Sequence, residues 1–145
     1  MKGLPTTPVT RLIELQATPK IETGFVIKKH LGRGFIELSV NMELYISTIQ
    51  KGDGCTLRKI EPEIKEKIFL NATVLDYLLE NKELIPKEWK KITILFPGTE
   101  YATEDGEYVF VRCLYWSGAS WCSSKHQIDA IVNDKTYIAV TNLVA

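Results

Sequence analysis

From Lys91 to Ile128 apolar and polar residues alternate in runs that are separated by two short turn signals. Alternation with period two is the mark of a strand that presents one side chain in two to each face of a sheet. Asp105-Gly106 and Gly118-Ala119 stand between the runs, and Gly-containing pairs of this kind are the strongest local signal of a tight hairpin. The pattern therefore predicts strands at Lys91–Thr103, Glu107–Trp116 and Trp121–Ile128, forming an antiparallel meander. With those turn centres, Tyr101 falls opposite Phe110, Leu95 opposite Trp116, and Trp116 opposite Trp121.

This register sorts the side chains into two surfaces. One collects Ile92, Ile94, Phe96, Val109, Val111, Cys113, Tyr115, Cys122 and Ile128, an apolar set suited to a core. The other collects Thr93, Thr99, Tyr101, Tyr108, Phe110, Arg112, Trp116, Trp121 and Lys125. It is aromatic and cationic. Rings offer rigid contact area and Arg and Lys offer directed donors, so this face reads as a binding platform. Its candidate site residues are Tyr101, Tyr108, Arg112, Trp116, Trp121 and Lys125. The alternative is that N-terminal strands cover the face as a second core layer, with Arg112 paired to an acid.

Upstream, residues 71–81 carry the clearest helix. Asn71 is a good N-cap, Leu70 can staple onto Leu75, and Val74, Leu75, Leu78 and Leu79 make an apolar stripe facing the meander's apolar surface. Pro86 suits the start of a short helical turn through Trp89 and Lys90. Further strands are expected at Val9–Gln16, Gly34–Val40 and Cys55–Ile60. Asn41 is expected to cap a helical turn over Met42–Ile49, and Thr136–Thr141 to form an edge strand. The fold class is α+β: an antiparallel sheet, the C-terminal meander plus N-terminal strands, packed on one main helix with short helical turns.

With 145 residues and 45% hydrophobic side chains, the chain is expected to build one domain over residues 1–145 around a single core. Its formal charge is +0, with nine basic and five acidic residues in the first sixty balanced by an acidic excess later. A protein that binds duplex nucleic acid ordinarily shows a basic surplus, which is missing. No run of about 18 apolar residues is present, so neither a membrane helix nor a signal peptide is expected. The three cysteines then read as reduced thiols in the cytoplasm.

No constellation compels a reaction or a cofactor. Cys122 and His126 lie four positions apart on a strand, about 13 Å, which is too far for two ligands of one zinc ion. Cys113 and His126 share a face at long range. Gly32-Arg33-Gly34 and Lys51–Gly54 lack the flanks of a phosphate loop. Lys28, Lys29, His30 and Arg33 make a small basic cluster, more commonly a solvated guard on a strand edge.

Leu84-Ile85-Pro86, Trp89-Lys90, Gly98-Thr99, Tyr108, Val111-Arg112 and Leu114-Tyr115-Trp116 follow a Leu-Ile-Pro-x-x-Trp-Lys, Gly-Thr, Tyr-Val-Arg-x-Leu-Tyr-Trp pattern. In this it resembles a group of small bacterial proteins of uncharacterised activity. The resemblance covers about residues 70–121 and is loose before them. It implies the meander and no activity, ligand or catalytic residue. Pro97 stands where the similar proteins carry an aromatic residue, and the tail after Trp121 lacks their tryptophan-rich ending. The sequence alone thus supports a non-catalytic binding or interaction module acting through the aromatic–cationic face, by contact with a protein or with a second copy of the chain. A second class is a small hydrolase or transferase using Cys113 or Cys122 with His126. A third is a homo-oligomer that buries the face between subunits.

Overall fold

The computed structural model describes residues 12–64 and 67–141, with the backbone alone for Val40. In chain order the strands are β1 (Leu12–Glu14), β2 (Phe25–His30), β3 (Phe35–Glu37), β4 (Met42–Tyr45), β5 (Cys55–Thr56), β6 (Ile68–Phe69), β7 (Thr93–Thr103), β8 (Val109–Trp116), β9 (Trp121–Gln127), β10 (Ile131–Val132) and β11 (Thr136–Thr141). The helices are α1 (Leu38–Asn41), α2 (Leu57–Ile60) and α3 (Ala72–Glu80), with short 3-10 turns between elements. This is an α+β fold dominated by sheet. No helix among the described residues is long and apolar enough to cross a membrane.

The main sheet runs β4-β11-β7-β8-β9, with β2 added to β7 and β6 to β11. All its pairings are antiparallel except β11 with β7. Two small antiparallel pairs, β1 with β3 and β5 with β10, lie outside it. The sheet is apolar on both faces. On one, Ile94, Phe96, Leu114, Trp121 and Ala139 share a core with Val74, Leu75 and Leu78 of α3 and with Ile13 and Ile36 of the β1–β3 pair. On the other, Leu95, Val111, Cys113, Ile138 and Val140 pack with Leu57, Ile60 and Ile64. Every residue from Ile94 to Ala102 is buried, as expected of a strand covered on both sides. Each fully buried Leu or Ile contributes roughly 1.5–3 kcal/mol.

Strand β7 is long because it serves different neighbours along one edge. β11 pairs with Thr93–Leu95, and β2 pairs with Thr99–Thr103. In the fork between them sits the end of β6. Gly98 N donates to Leu70 O at 2.8 Å, Leu31 N donates to Gly98 O at 2.6 Å, and Leu70 N donates to Ala139 O at 2.9 Å. A Cβ on Gly98 would stand 2.6 Å from Phe69 O and 2.7 Å from the Leu70 carbonyl carbon. Only glycine fits. Pro97 beside it has no N–H to satisfy, which suits an irregular point in a strand.

The same irregularity changes the register. Tyr101 faces Phe110, as the turn chemistry predicts, but Phe96 faces Arg112 and Leu95 faces Cys113. Four residues, Pro97 to Glu100, thus oppose the single residue Val111. The expected Leu95–Trp116 pair does not form. An odd insertion moves the first half of β7 to the other face, so Ile92, Ile94 and Phe96 part company with Val111 and Cys113. The second hairpin keeps its predicted register throughout, with Trp116 opposite Trp121.

Other expectations need correction. α3 packs on the aromatic face, not on Val111 and Cys113. Thr136–Thr141 is interior, between β4 and β7. Met42–Tyr45 is a strand, and Asn41 closes α1 rather than opening a helix, its Oδ1 accepting from Glu37 N at 2.8 Å. Strand structure within Gly34–Val40 is confined to β3, and Cys55–Ile60 leaves the strand after Thr56 to form α2. Of Val9–Gln16, Leu12–Glu14 is a strand and Val9 to Arg11 lie outside the described residues. Strand β2 had no counterpart among the expected elements.

Gly98→Ala is expected to destabilise the fold by about 3 kcal/mol, because its Cβ meets backbone that cannot yield. Gly106→Ala, at a positive φ in open space, should cost about 1 kcal/mol. Urea denaturation of the two variants checks the order.

Candidate functional site

Beyond the bulge, β7, β8 and β9 run in uninterrupted register, and the alternation brings Tyr101, Phe110, Arg112 and Lys125 to one face beside Phe25 of β2. They line a cavity of about 660 Å³, with Ser123, Ser124 and the segment Lys20–Glu22 completing its wall. The size is that of a small-molecule pocket.

The floor is aromatic. Tyr101 and Phe110 stack with centroids 5.4 Å apart, and Phe25 meets Phe110 edge-on at 5.0 Å. Lys125 Nζ stands 4.9 Å from the Phe25 ring centroid and 5.9 Å from that of Phe110. Such contacts hold an ammonium group against rings without neutralising it.

The inner wall is an ion pair. Arg112 Nη1 donates to Asp76 Oδ1 of α3 at 2.8 Å, and Arg112 Nε to Ser123 Oγ at 3.3 Å. Burial works against the Arg112 charge, but the Tyr101 hydroxyl and the Asp76 carboxylate outweigh it and hold the guanidinium above its ordinary pKa. Burial likewise pushes the Tyr101 hydroxyl up, so it stays protonated.

Two of these groups also hold the outer wall. Lys20 N donates to Asp76 Oδ2 at 2.7 Å, and Tyr101 Oη donates to Lys20 O at 3.0 Å. With both main-chain polar groups of Lys20 engaged, Ile21 and Glu22 are carried across the cavity mouth. Glu22 Oε2 lies 2.8 Å from Lys125 Nζ.

The six residues singled out from the sequence therefore do not form one patch. Tyr101, Arg112 and Lys125 line the cavity. Trp116 and Trp121 meet edge-on at 5.3 Å at the far end of the meander, Trp121 buried in the α3 core and Trp116 beneath Lys90 Nζ. Tyr108 is exposed beside the first turn. Sequence reading missed Phe25 and Glu22, while the acid expected as a partner for Arg112 in the alternative reading is Asp76. A signal existed for Phe25, since Gly24 followed by Phe-Val-Ile marks a turn into a strand.

The thiols form no comparable arrangement. Cys55 and Cys113 are buried, and burial raises the pKa of each. Cys122, at the second turn, is lowered by hydrogen bonding to Ser120 and Ser117. His126 Nε2 lies 3.3 Å from Ala130 O, and burial lowers its pKa. No thiol–imidazole hydrogen bond occurs among the described residues, nor does any group of three His, Cys, Asp or Glu side chains able to hold a metal ion.

Comparison of the chain with protein-family models, with curated proteins and with solved structures returns no match.

Asp76→Ala strands the Arg112 charge and is expected to lose about 3 kcal/mol of stability in urea denaturation; Asp76→Leu with Arg112→Met should recover most of that. Iodoacetamide near neutral pH should label Cys122 first, since its thiolate is the most populated and accessible, and label Cys55 and Cys113 only on unfolding. Peptide mass mapping over time reads the order.

Proposed function

We propose that the protein is a non-catalytic binding module whose ligand occupies the cavity between the Lys20–Glu22 segment and the β7–β8–β9 face. The observation that carries this reading is the joining of an aromatic floor, Phe25, Tyr101 and Phe110, to the cationic side chains of Arg112 and Lys125 at one concavity of about 660 Å³. Pockets of this volume with apolar walls and a few converging polar groups are the usual form of a small-molecule site. The aromatic–cationic character inferred from the sequence is thus used, but as a walled pocket rather than an open platform. A protein partner needs roughly 800 Å² of accessible surface from each side, and Tyr101, Phe110 and Trp121 are each more than nine-tenths buried. A small ligand suits this geometry better.

The test is titration with a neutral fluorescent apolar probe, N-phenyl-1-naphthylamine. One probe should bind per chain. Ser123→Phe, which places a ring in the cavity, should abolish binding while leaving the far-ultraviolet dichroism unchanged, and Phe25→Ala should weaken it about fivefold or more, in line with the loss of an aromatic contact. Wild-type binding by a folded Ser123→Phe protein would remove the cavity from consideration.

A further inference from the structure

The ion pair at the cavity mouth carries a statement about what the cavity holds. Lys125 and Glu22 are half and two-thirds exposed, respectively, with 2.8 Å between Nζ and Oε2. Exposed pairs of this kind contribute at most about 1 kcal/mol, so the contact is easily exchanged. Lys125 itself is less free to leave. It comes from the middle of β9, opposite Arg112, and its ammonium rests against the Phe25 and Phe110 rings. Glu22 therefore brings a carboxylate to a cation that the sheet holds over the aromatic floor.

Resting on the cavity reading above, we propose that the natural ligand is a monocarboxylate with a flat apolar body, and that Glu22 is its built-in competitor. The ligand's carboxylate takes the place of the Glu22 carboxylate on Lys125 Nζ. Its body lies along Phe25 and Phe110.

Charge fixes the valence. Arg112 is neutralised by Asp76, which also anchors Lys20 and is not released. Lys20, the third cation of the wall, has its Nζ 3.9 Å from Glu80 Oε1, so displacing Glu22 from Lys125 uncovers one positive charge in the cavity, which a monoanion balances and a phosphate dianion overfills. The shape follows from the floor. Stacked and edge-on rings favour a planar partner. Binding leaves every covalent bond intact and moves no proton.

The test compares 2-naphthoate with its neutral isostere 2-naphthamide on the full chain by calorimetry. Wild-type protein is expected to bind the naphthoate about tenfold tighter, the worth of one charge-assisted hydrogen bond less the displaced Glu22 pair. Glu22→Gln should tighten naphthoate about two- to fivefold and leave naphthamide unchanged. Lys125→Met should erase the preference for the anion, the two compounds then binding alike; both substitutions are at exposed positions and spare the core. Equal affinity for the two compounds, or a Glu22→Gln protein that binds naphthoate no better, overturns the anion inference while leaving the cavity reading standing. Failure of both compounds and of the neutral fluorescent probe overturns both.

Discussion

The fold depends on the backbone contact at Gly98. There the main chain of residues 69–71 comes so close to β7 that no side chain fits between them, and in that space β7 exchanges one neighbour for another. Without the fork, β11 and β2 would compete for the same edge of one strand. With it, the first half of β7 joins a parallel pair at the centre of the sheet, and the second half is left to β2. The hydrogen bonds to Leu70 and Leu31 engage both backbone groups of Gly98 at the point where the ladder breaks.

A polar network supports that junction. Asn71 caps α3 through Oδ1, which accepts from Thr73 N and Val74 N, and its Nδ2 donates to Leu15 O and Leu31 O. Thr99 Oγ1 accepts from Ala72 N at 2.8 Å and lies 2.8 Å from His30 Nδ1, while His30 Nε2 lies 2.9 Å from Leu15 O. Because a carbonyl only accepts, Nε2 is the donor to Leu15 O. The helix start, β2 and the segment after β1 are thereby fixed to the strand one residue beyond Gly98, which explains why α3 lies where it does over the aromatic face.

The division between what the sequence revealed and what it concealed follows from the range of each interaction. Asn71, the α3 stripe and the second hairpin are local, governed by capping, period and a two-residue turn, and all three read correctly. The bulge at Pro97–Glu100 was not legible as such. Proline and glycine mark an irregularity there, but the number of residues inserted depends on the approach of residues 69–71, which are distant in sequence. One odd insertion was enough to exchange the inward sets of β7, so the face expected to bind a partner became the face beneath α3. Helical turns at Leu38–Asn41 and Leu57–Ile60 were missed for a related reason. Each is a single turn inside a run of β-favouring residues, where tertiary packing overrides propensity. For the candidate site, the aromatic and cationic character was legible, but the enclosing wall was not, because nothing local ties Lys20 to Asp76 or Glu22 to Lys125.

The Arg112–Asp76 pair raises a question that stability alone does not answer. Apolar residues of similar volume would join α3 to β8 at least as firmly, since buried ion pairs seldom exceed the packing they displace. The pair does something an apolar contact cannot. Asp76 divides its two oxygens between the guanidinium and the Lys20 N–H, so one carboxylate neutralises the inner wall and ties down the outer one. Tyr101 repeats the pattern, its ring in the floor and its hydroxyl on Lys20 O. The polar groups buried at this end of the sheet hold a segment of chain away from the sheet rather than drawing it closed, and the cavity is the space they keep.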